Sequence, residues 1–536
     1  MLMGVSHHCL IASLLLSIIA PEFADTVHLT RWNMSLLSSA LLEISWRNAF
    51  LGYACIELSF YACYRWVLLP RAQLPVNTRP TYRDYNCPVE DRIKLFQRIC
   101  HRLERQAQQE PHNDFRQQFS NFLLEWFRPT NGAQAHNTTK PPPLLRAVTS
   151  SSSSTDVSGD EDNADYGDCN NNNNRQWTIP GVKKAEMDDF FAWAFFEKET
   201  NLLEISERLG MQKMYDLLLR DYGLKFEPGR GSLVEGRRLT LDEIQSVHRP
   251  LIVYIILHFL ERVGNVLLRL FGFQRYSAKS GLVYWHRTGL ESEKRLPLLF
   301  FHGVAPAGKT FYLPMCLLGL GDRQRNLYLF ENRSISSTDI TFDVLSEDDT
   351  VAGVEEALRR HGDDARSLSL CGHSFGSCAM TWLLHSSLRD NIHQFVLMDP
   401  VTILLSEANV MVNFLYARNE VSTNIANHYL AGIQYVGSEL FTEYYLRRNF
   451  SWYNAELWLD DLPKSAHVLV CLCEEDQILS APNVKREIES HGMDNLDLIY
   501  LKGVDHADCI LNPKSWPQLR TAMLAQESSI LLKKCT

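Results

Sequence analysis

Between residues 274 and 536, short β-prone runs alternate with longer helical stretches, and this alternation restricts the possible folds more than any other feature of the sequence. Val283–Arg287, Leu296–Phe301, Asn326–Phe330, Leu368–Cys371, Gln394–Met398, His467–Leu472 and Asp497–Leu501 are apolar or β-rich, and most intervals between them are long enough for a helix. Runs this apolar suit strands covered on both faces. The expected architecture is therefore α/β, a mostly parallel sheet with helices on either side. At 536 residues the chain carries more than this one unit.

Residues 1–130 read as a helical region with membrane character. The run Cys9 to Ala20 is twelve residues long, the length of a signal-peptide core rather than of a span. It lacks preceding Lys or Arg and a small-residue cleavage pattern, which favours a retained segment over a cleaved signal. The run Ala49 to Leu69 would extend about 31 Å as a helix, enough for a hydrocarbon core of about 30 Å. Trp46 and Trp66 suit its interfacial ends. Glu57 and Arg65 inside it are costly at membrane depth, so a helix half-buried in protein is the competing reading. Arg79, Arg83, Arg92, Lys94, Arg98 and Arg102 follow the run, against Arg31 and Arg47 in the stretch before it, so a single span leaves the downstream chain facing the cytosol.

Residues 131–178 form a low-complexity linker, expected to be disordered because Pro141-Pro142-Pro143, the serines 150–154 and the asparagines 170–174 leave little apolar surface to bury. Residues 179–273 return to helical patterning. The aromatic crowd Phe190-Phe191-Ala192-Trp193-Ala194-Phe195-Phe196 reads as a core helix. In the stretch Pro250 to Phe273, His258, Arg262, Asn265 and Arg269 fall on one stripe of an otherwise apolar helix, so it is expected to lie flat in a membrane interface with its arginines reaching the headgroups, a helix wrapped by protein being the competing reading.

The chemistry centres on Gly372-His373-Ser374-Phe375-Gly376, which stands between a β run and a helical run. In that context the glycines permit a sharp turn that lifts the Ser374 hydroxyl above the sheet beside a helix N-terminus. A serine at its ordinary pKa is a poor nucleophile and needs a histidine base oriented by a carboxylate. Asp476 follows the run ending at Leu472, and His506 follows the run ending at Leu501, giving the order Ser374, Asp476, His506 with each residue past a strand end. Asp399, after another strand, and Glu475 are the alternative acids. Backbone N–H groups of Val304, in His302-Gly303-Val304, and of Phe375 are the expected oxyanion donors. His373 is assigned to packing. Asp505 and Asp508 are expected to be solvated or capping, and Cys471 and Cys473 share a strand face without a sequence neighbour to complete a metal ligand set.

On these residues, Leu299-Phe-Phe-His302-Gly303, Gly372-His-Ser-Phe-Gly376, Asp476-Gln-Ile-Leu and Gly503-Val-Asp-His506, the region 274–536 resembles the α/β-hydrolase superfamily in its serine-hydrolase branch. The whole arrangement, with membrane-like helices ahead of the hydrolase region, resembles an uncharacterised membrane-associated subgroup. The resemblance implies a nucleophile, acid and base at Ser374, Asp476 and His506, and an oxyanion donor at Val304. It also implies a helical lid in the insertion of about 400–462, which is rich in aromatics such as Phe414, Tyr445, Phe450 and Trp452. No metal or organic cofactor is expected. The net charge of -10, from 53 Lys and Arg against 63 Asp and Glu, argues against nucleic acid as a partner. Thirteen cysteines with no CxxC pair read as mostly reduced packing residues. The expected function is a membrane-attached serine hydrolase of a carboxylic ester or thioester, with a lipid acyl chain as the favoured substrate class. Acyl transfer to an alcohol by the same triad, and a non-catalytic membrane scaffold that keeps the fold, are the alternatives.

Overall fold

Seven strands of the central sheet coincide with the apolar runs, and the eighth is a polar edge strand. They are β1 (Gln274–Ser277), β2 (Val283–Arg287), β3 (Leu298–Phe301), β4 (Leu327–Glu331), β5 (Leu368–His373), β6 (Ile392–Met398), β7 (His467–Cys473) and β8 (Leu496–Leu501). The computed structural model describes residues 46–74, 88–109, 114–130, 176–231, 233–338, 340–416 and 435–535. The run 9–20, the linker except its last three residues, and positions 417–434 of the aromatic insertion lie outside the described residues. The strand order across the sheet is β1-β2-β4-β3-β5-β6-β7-β8. Every neighbouring pair from β4 to β8 is parallel, whereas β2 runs antiparallel to both β1 and β4.

Burial on both faces explains why these runs are continuously apolar rather than alternating. Leu299 and Phe301 belong to one core and Leu298 and Phe300 to another, the period of two that divides a strand between the faces of its sheet. The first core contains α5 (Glu347–His361) and α6 (Gly376–Leu384), and the second contains Leu519 and Met523 of α8 (Trp516–Cys535). Local signals bound these helices. Ser346 and Asp349 form a capping box at the start of α5, and Gly362, at φ 74°, ends it in the left-handed conformation.

The earlier helices are α1 (Trp46–Cys63), α2 (Val89–Gln109), α3 (Lys184–Phe196) and α4 (Leu251–Leu270), and α7 (Leu440–Arg448) lies within the insertion. The chain divides into two compact units, Met1–Ala62 and Cys63–Thr536. Within the second, every residue of the aromatic run 190–196 is buried, and this core is continuous with the insertion. Trp452 Nε1–H donates to Ala194 O at 2.9 Å, and the buried Arg102 guanidinium of α2 pairs with Glu456 at 2.5 Å. A charge removed from water is tolerated there because its partner lies within the same core.

The two helices expected at a membrane behave differently. Tyr64–Leu68 form a π turn after α1, and Tyr64 and Ala72 are buried with Ile244, Leu440, Phe441 and Tyr444. Tyr64 Oη meets Ser246 Oγ at 2.9 Å, and the Gln73 amide pairs with both Ile244 O and Ile244 N–H. The C-terminal part of the run Ala49 to Leu69 is thus packed on protein along one face, through Tyr64, Leu68 and Leu69, while Trp66 and Val67 are exposed, and residues 49–63 alone extend only about 22 Å as a helix. Among the described residues the helix long and apolar enough to cross a membrane is α4. Its Tyr254, Leu257, Gly264 and Leu268 form one buried face, while Ile252, Ile255, Ile256, Phe259, Val263, Val266 and Leu270 are exposed. One face of α4 is therefore committed to the protein and the opposite face is open.

Candidate active site

Ser374 stands where β5 turns into α6, with φ at 51°, a conformation a non-glycine residue seldom adopts. The flanking glycines are required by close approach. A Cβ on Gly376 would stand 2.1 Å from Phe301 O, and one on Gly372 would stand 2.6 Å from Met380 Sδ, so any side chain would push α6 off the sheet. Ser374 N–H donates to Met398 O at 2.9 Å, which pins the turn to the end of β6.

His506 is buried and Nδ1 lies 2.5 Å from Asp476 Oδ2. Asp476 is itself held by Ile478 N–H at 2.7 Å and Leu479 N–H at 3.0 Å, both donating to Oδ1. Burial pushes the His506 pKa down, but the Asp476 charge and hydrogen bond, with Asp399 adding to them, leave it raised above the ordinary 6.5. If the imidazole must accept a proton from Ser374, ester hydrolysis is expected to disappear as pH falls through a value above 6.5. A pH–rate profile of kcat/KM checks this, and a rising limb well below that value would contradict it.

Of the three candidate acids, the structure brings Asp476 to His506 Nδ1. Asp399 is completely buried and accepts from Cys473 N–H at 2.7 Å and Ala507 N–H at 3.2 Å. Glu475 is exposed. Asp508 accepts from Asp505 N–H at 3.1 Å, a capping contact in the turn after His506.

His302-Gly303-Val304 follows β3. The His302 pKa is pushed down to about 4 by burial, so the ring is neutral. Nε2 accepts from Asn332 N–H at 3.1 Å, and Nδ1–H faces Gly303 O at 2.8 Å. Gly303 is closely packed, since a Cβ there would stand 3.0 Å from Ser374 Cβ and 2.9 Å from Tyr312 Oη. Val304 and Phe375 line the same cavity as Ser374.

That cavity measures about 450 Å³. Its other walls are Val401, Leu405, Val410, Met411, Phe414, Leu415, Leu446, Phe450 and Ile478, so among the described residues Ser374 is the single polar side chain in the lining. The insertion supplies most of these residues. Sequence reasoning missed Tyr312, which carries no motif, and the neighbours of Cys471 and Cys473, because Cys509 reaches both from beyond β8. His373, Asp399 and Cys509 present ligand-type atoms within 4.8 Å of one another. Cys509 Sγ–H donates to Asp399 Oδ2 at 3.3 Å, and burial pushes the thiol pKa well up. The Cys509 thiol is therefore held protonated and hydrogen-bonded to the Asp399 carboxyl group.

No protein-family model matches the sequence, and no curated protein matches it. Among solved structures the chain is similar to a membrane phospholipase A described as a bacterial virulence factor, at 15% identity over 52% of this chain and 93% of that one, with a TM-score of 0.35. It is also similar to a thermophilic esterase from Thermogutta terrifontis, at 15% identity over 48% and 99% of the two chains, TM-score 0.36. A carboxylesterase from Bacillus subtilis shares 13% identity over 51% and 98%, TM-score 0.35. Identity at this level decides little. The strand order with β2 reversed, the sharp turn between β5 and α6, and helices on both faces of the sheet make residues 274–535 an α/β-hydrolase fold.

Proposed function

We propose that the protein is a membrane-associated serine hydrolase that cleaves a carboxylic ester or thioester of a lipid through an acyl-Ser374 intermediate. The observations that carry this reading are a serine on a sharp strand-to-helix turn that lines an otherwise apolar cavity, and a buried histidine paired with a carboxylate at 2.5 Å. In the proposed reaction His506 takes the Ser374 proton as Oγ attacks the ester carbonyl, and Asp476 holds the imidazole in the tautomer that can accept it. The backbone N–H groups of Val304 and Phe375 receive the developing oxyanion, and the proton on His506 passes to the departing alcohol or thiol. Water then repeats the sequence on the acyl-enzyme.

The apolar lining supports a long acyl chain. With p-nitrophenyl esters, kcat/KM is expected to rise about three- to fourfold per added methylene until the cavity is filled. A profile that peaks at acetate would remove the lipid substrate from this reading.

The open apolar face of α4 supports attachment to a lipid surface, with exposed Arg262 and Arg269 available to anionic headgroups. The basic stretch after residue 70 favours the cytosolic side. In the full-length chain, Ile255→Asp combined with Phe259→Asp is expected to lower the vesicle partition coefficient at least about tenfold, because each side chain contributes roughly 1.5 to 3 kcal/mol on leaving water. Unchanged partitioning in a flotation assay would place the attachment elsewhere.

A further inference from the structure

Behind Ser374, Asp476 and His506 runs a second set of buried polar groups that touches every loop of the site. Gly303 N–H, in the oxyanion loop, donates to Tyr312 Oη at 3.0 Å. Tyr312 Oη in turn lies 3.0 Å from Nδ1 of His373, the residue before the nucleophile. The Tyr312 hydroxyl, which can donate and accept at once, thus bridges the oxyanion loop and the nucleophile turn. Burial, with His506 adding to it, pushes the His373 pKa well down, so the ring stays neutral. Nε2 has no hydrogen-bond partner among the described residues and stands 3.8 Å from Asp399 Oδ2.

Asp399 lies at the far side of the His373 ring, near Nε2 but beyond hydrogen-bond distance, and is held from the other loops of the site. It accepts from Cys473 N–H at the end of β7, three residues before Asp476, and from Ala507 N–H, next to His506. Cys509 Sγ–H donates to it as well. Burial pushes the Asp399 pKa up, with the Asp476 charge adding to the rise, while the His506 charge and the hydrogen bond from Cys473 oppose it. Its backbone is held at φ 41°, a conformation that persists only where the surroundings impose it. Ligand-type atoms of Asp399, Asp476 and His506 lie within 4.8 Å of one another.

We propose that Tyr312, His373 and Asp399 form a positioning relay that registers the oxyanion loop, the nucleophile turn and the loops carrying Asp476 and His506 against one another, and that Asp399 places a second negative charge beside the His506 imidazolium. The relay rests on the serine-hydrolase reading. None of its three members need touch the substrate. Tyr312 and His373 set the distance between the oxyanion donors and Ser374, and Asp399 sets the pair that moves the proton.

Tyr312→Phe and Asp399→Asn are each expected to lower kcat about ten- to a hundredfold with KM nearly unchanged, the scale of loss that small misplacement of reacting groups produces. In the double variant the loss should approach the larger single loss rather than the product, because a relay cut twice is lost once. The charged or titratable groups facing His506 are Asp476, Asp399 and His373, and those facing Asp399 are Asp476, His506, His373, Cys473 and Cys509. Removing the Asp399 charge destabilises the imidazolium, so the acidic limb of the kcat/KM profile should move about one unit to lower pH in Asp399→Asn and stay in place in Tyr312→Phe. Losses that multiply, losses confined to KM, or an unmoved limb in Asp399→Asn would overturn the relay. Should Asp399→Asn fail to fold, the cycle is run with His373→Gln and Tyr312→Phe, where losses that multiply again overturn it. A folded wild type that is inert toward esters and fluorophosphonate overturns the hydrolase reading and the relay with it, whereas an active wild type with multiplying losses overturns the relay alone.

Discussion

Ser374→Ala is expected to abolish both fluorophosphonate labelling and ester hydrolysis, a loss on the order of a millionfold in rate, while leaving the thermal transition nearly where it was. The separation of the two effects follows from the geometry. The turn at Ser374 is held by its backbone, through Ser374 N–H to Met398 O and Ser377 N–H to Ser374 O, and by the space left at Gly372 and Gly376. Alanine keeps the backbone contacts and the Cβ that Gly303 approaches, and it meets the same strain at φ 51° that serine does. What it removes is the hydroxyl of the one polar side chain that lines the apolar cavity among the described residues. Labelling kinetics, hydrolysis of p-nitrophenyl esters and a thermal melt on the same preparations decide the matter. A folded wild type that neither labels nor turns over would favour the scaffold reading, and an alanine variant that still labels would move the nucleophile to another residue.

Asp476→Asn is expected to lower turnover by about four orders of magnitude. Asparagine can keep the acceptor that receives Ile478 N–H and Leu479 N–H, so the loop should hold its shape. Its amide nitrogen would then face His506 Nδ1 as a donor facing a donor. The imidazole must move its proton to Nε2, where it no longer accepts from Ser374. Asp399→Asn leaves the Asp476 contact to His506 intact, and its smaller expected loss makes it the informative control. If Asp399→Asn proved the more damaging of the two, the assignment of the acid to the loop after β7 would be wrong, whatever the distance between Asp476 and His506 in the resting structure.

The sequence by itself determined the α/β layering and the positions of the candidate site residues. Strands buried on both faces have to be apolar throughout, so β2 to β8 were visible as runs, and a nucleophile turn is legible because it needs two glycines at a fixed spacing. β1 was not legible, since Gln274 and Arg275 are exposed on an edge strand and only pairing with β2 defines it. Asp399 and Asp476 each follow a strand, so spacing in the chain leaves both open as the acid. The order of β6, β7 and β8 in the sheet is what carries Asp476 to Nδ1 and turns Asp399 towards Cys473 and Ala507. Tertiary structure alone also showed that Tyr64, Leu68, Leu69 and Ala72 pack on protein, and that one face of α4 is already occupied. The physical reason is common to these cases. Hydrophobic periodicity and turn chemistry act over a few residues and are written locally, whereas hydrogen-bond partners such as Gly303, Tyr312 and His373, or Asp399 and Ala507, are separated by up to 108 positions and meet only once the sheet has formed.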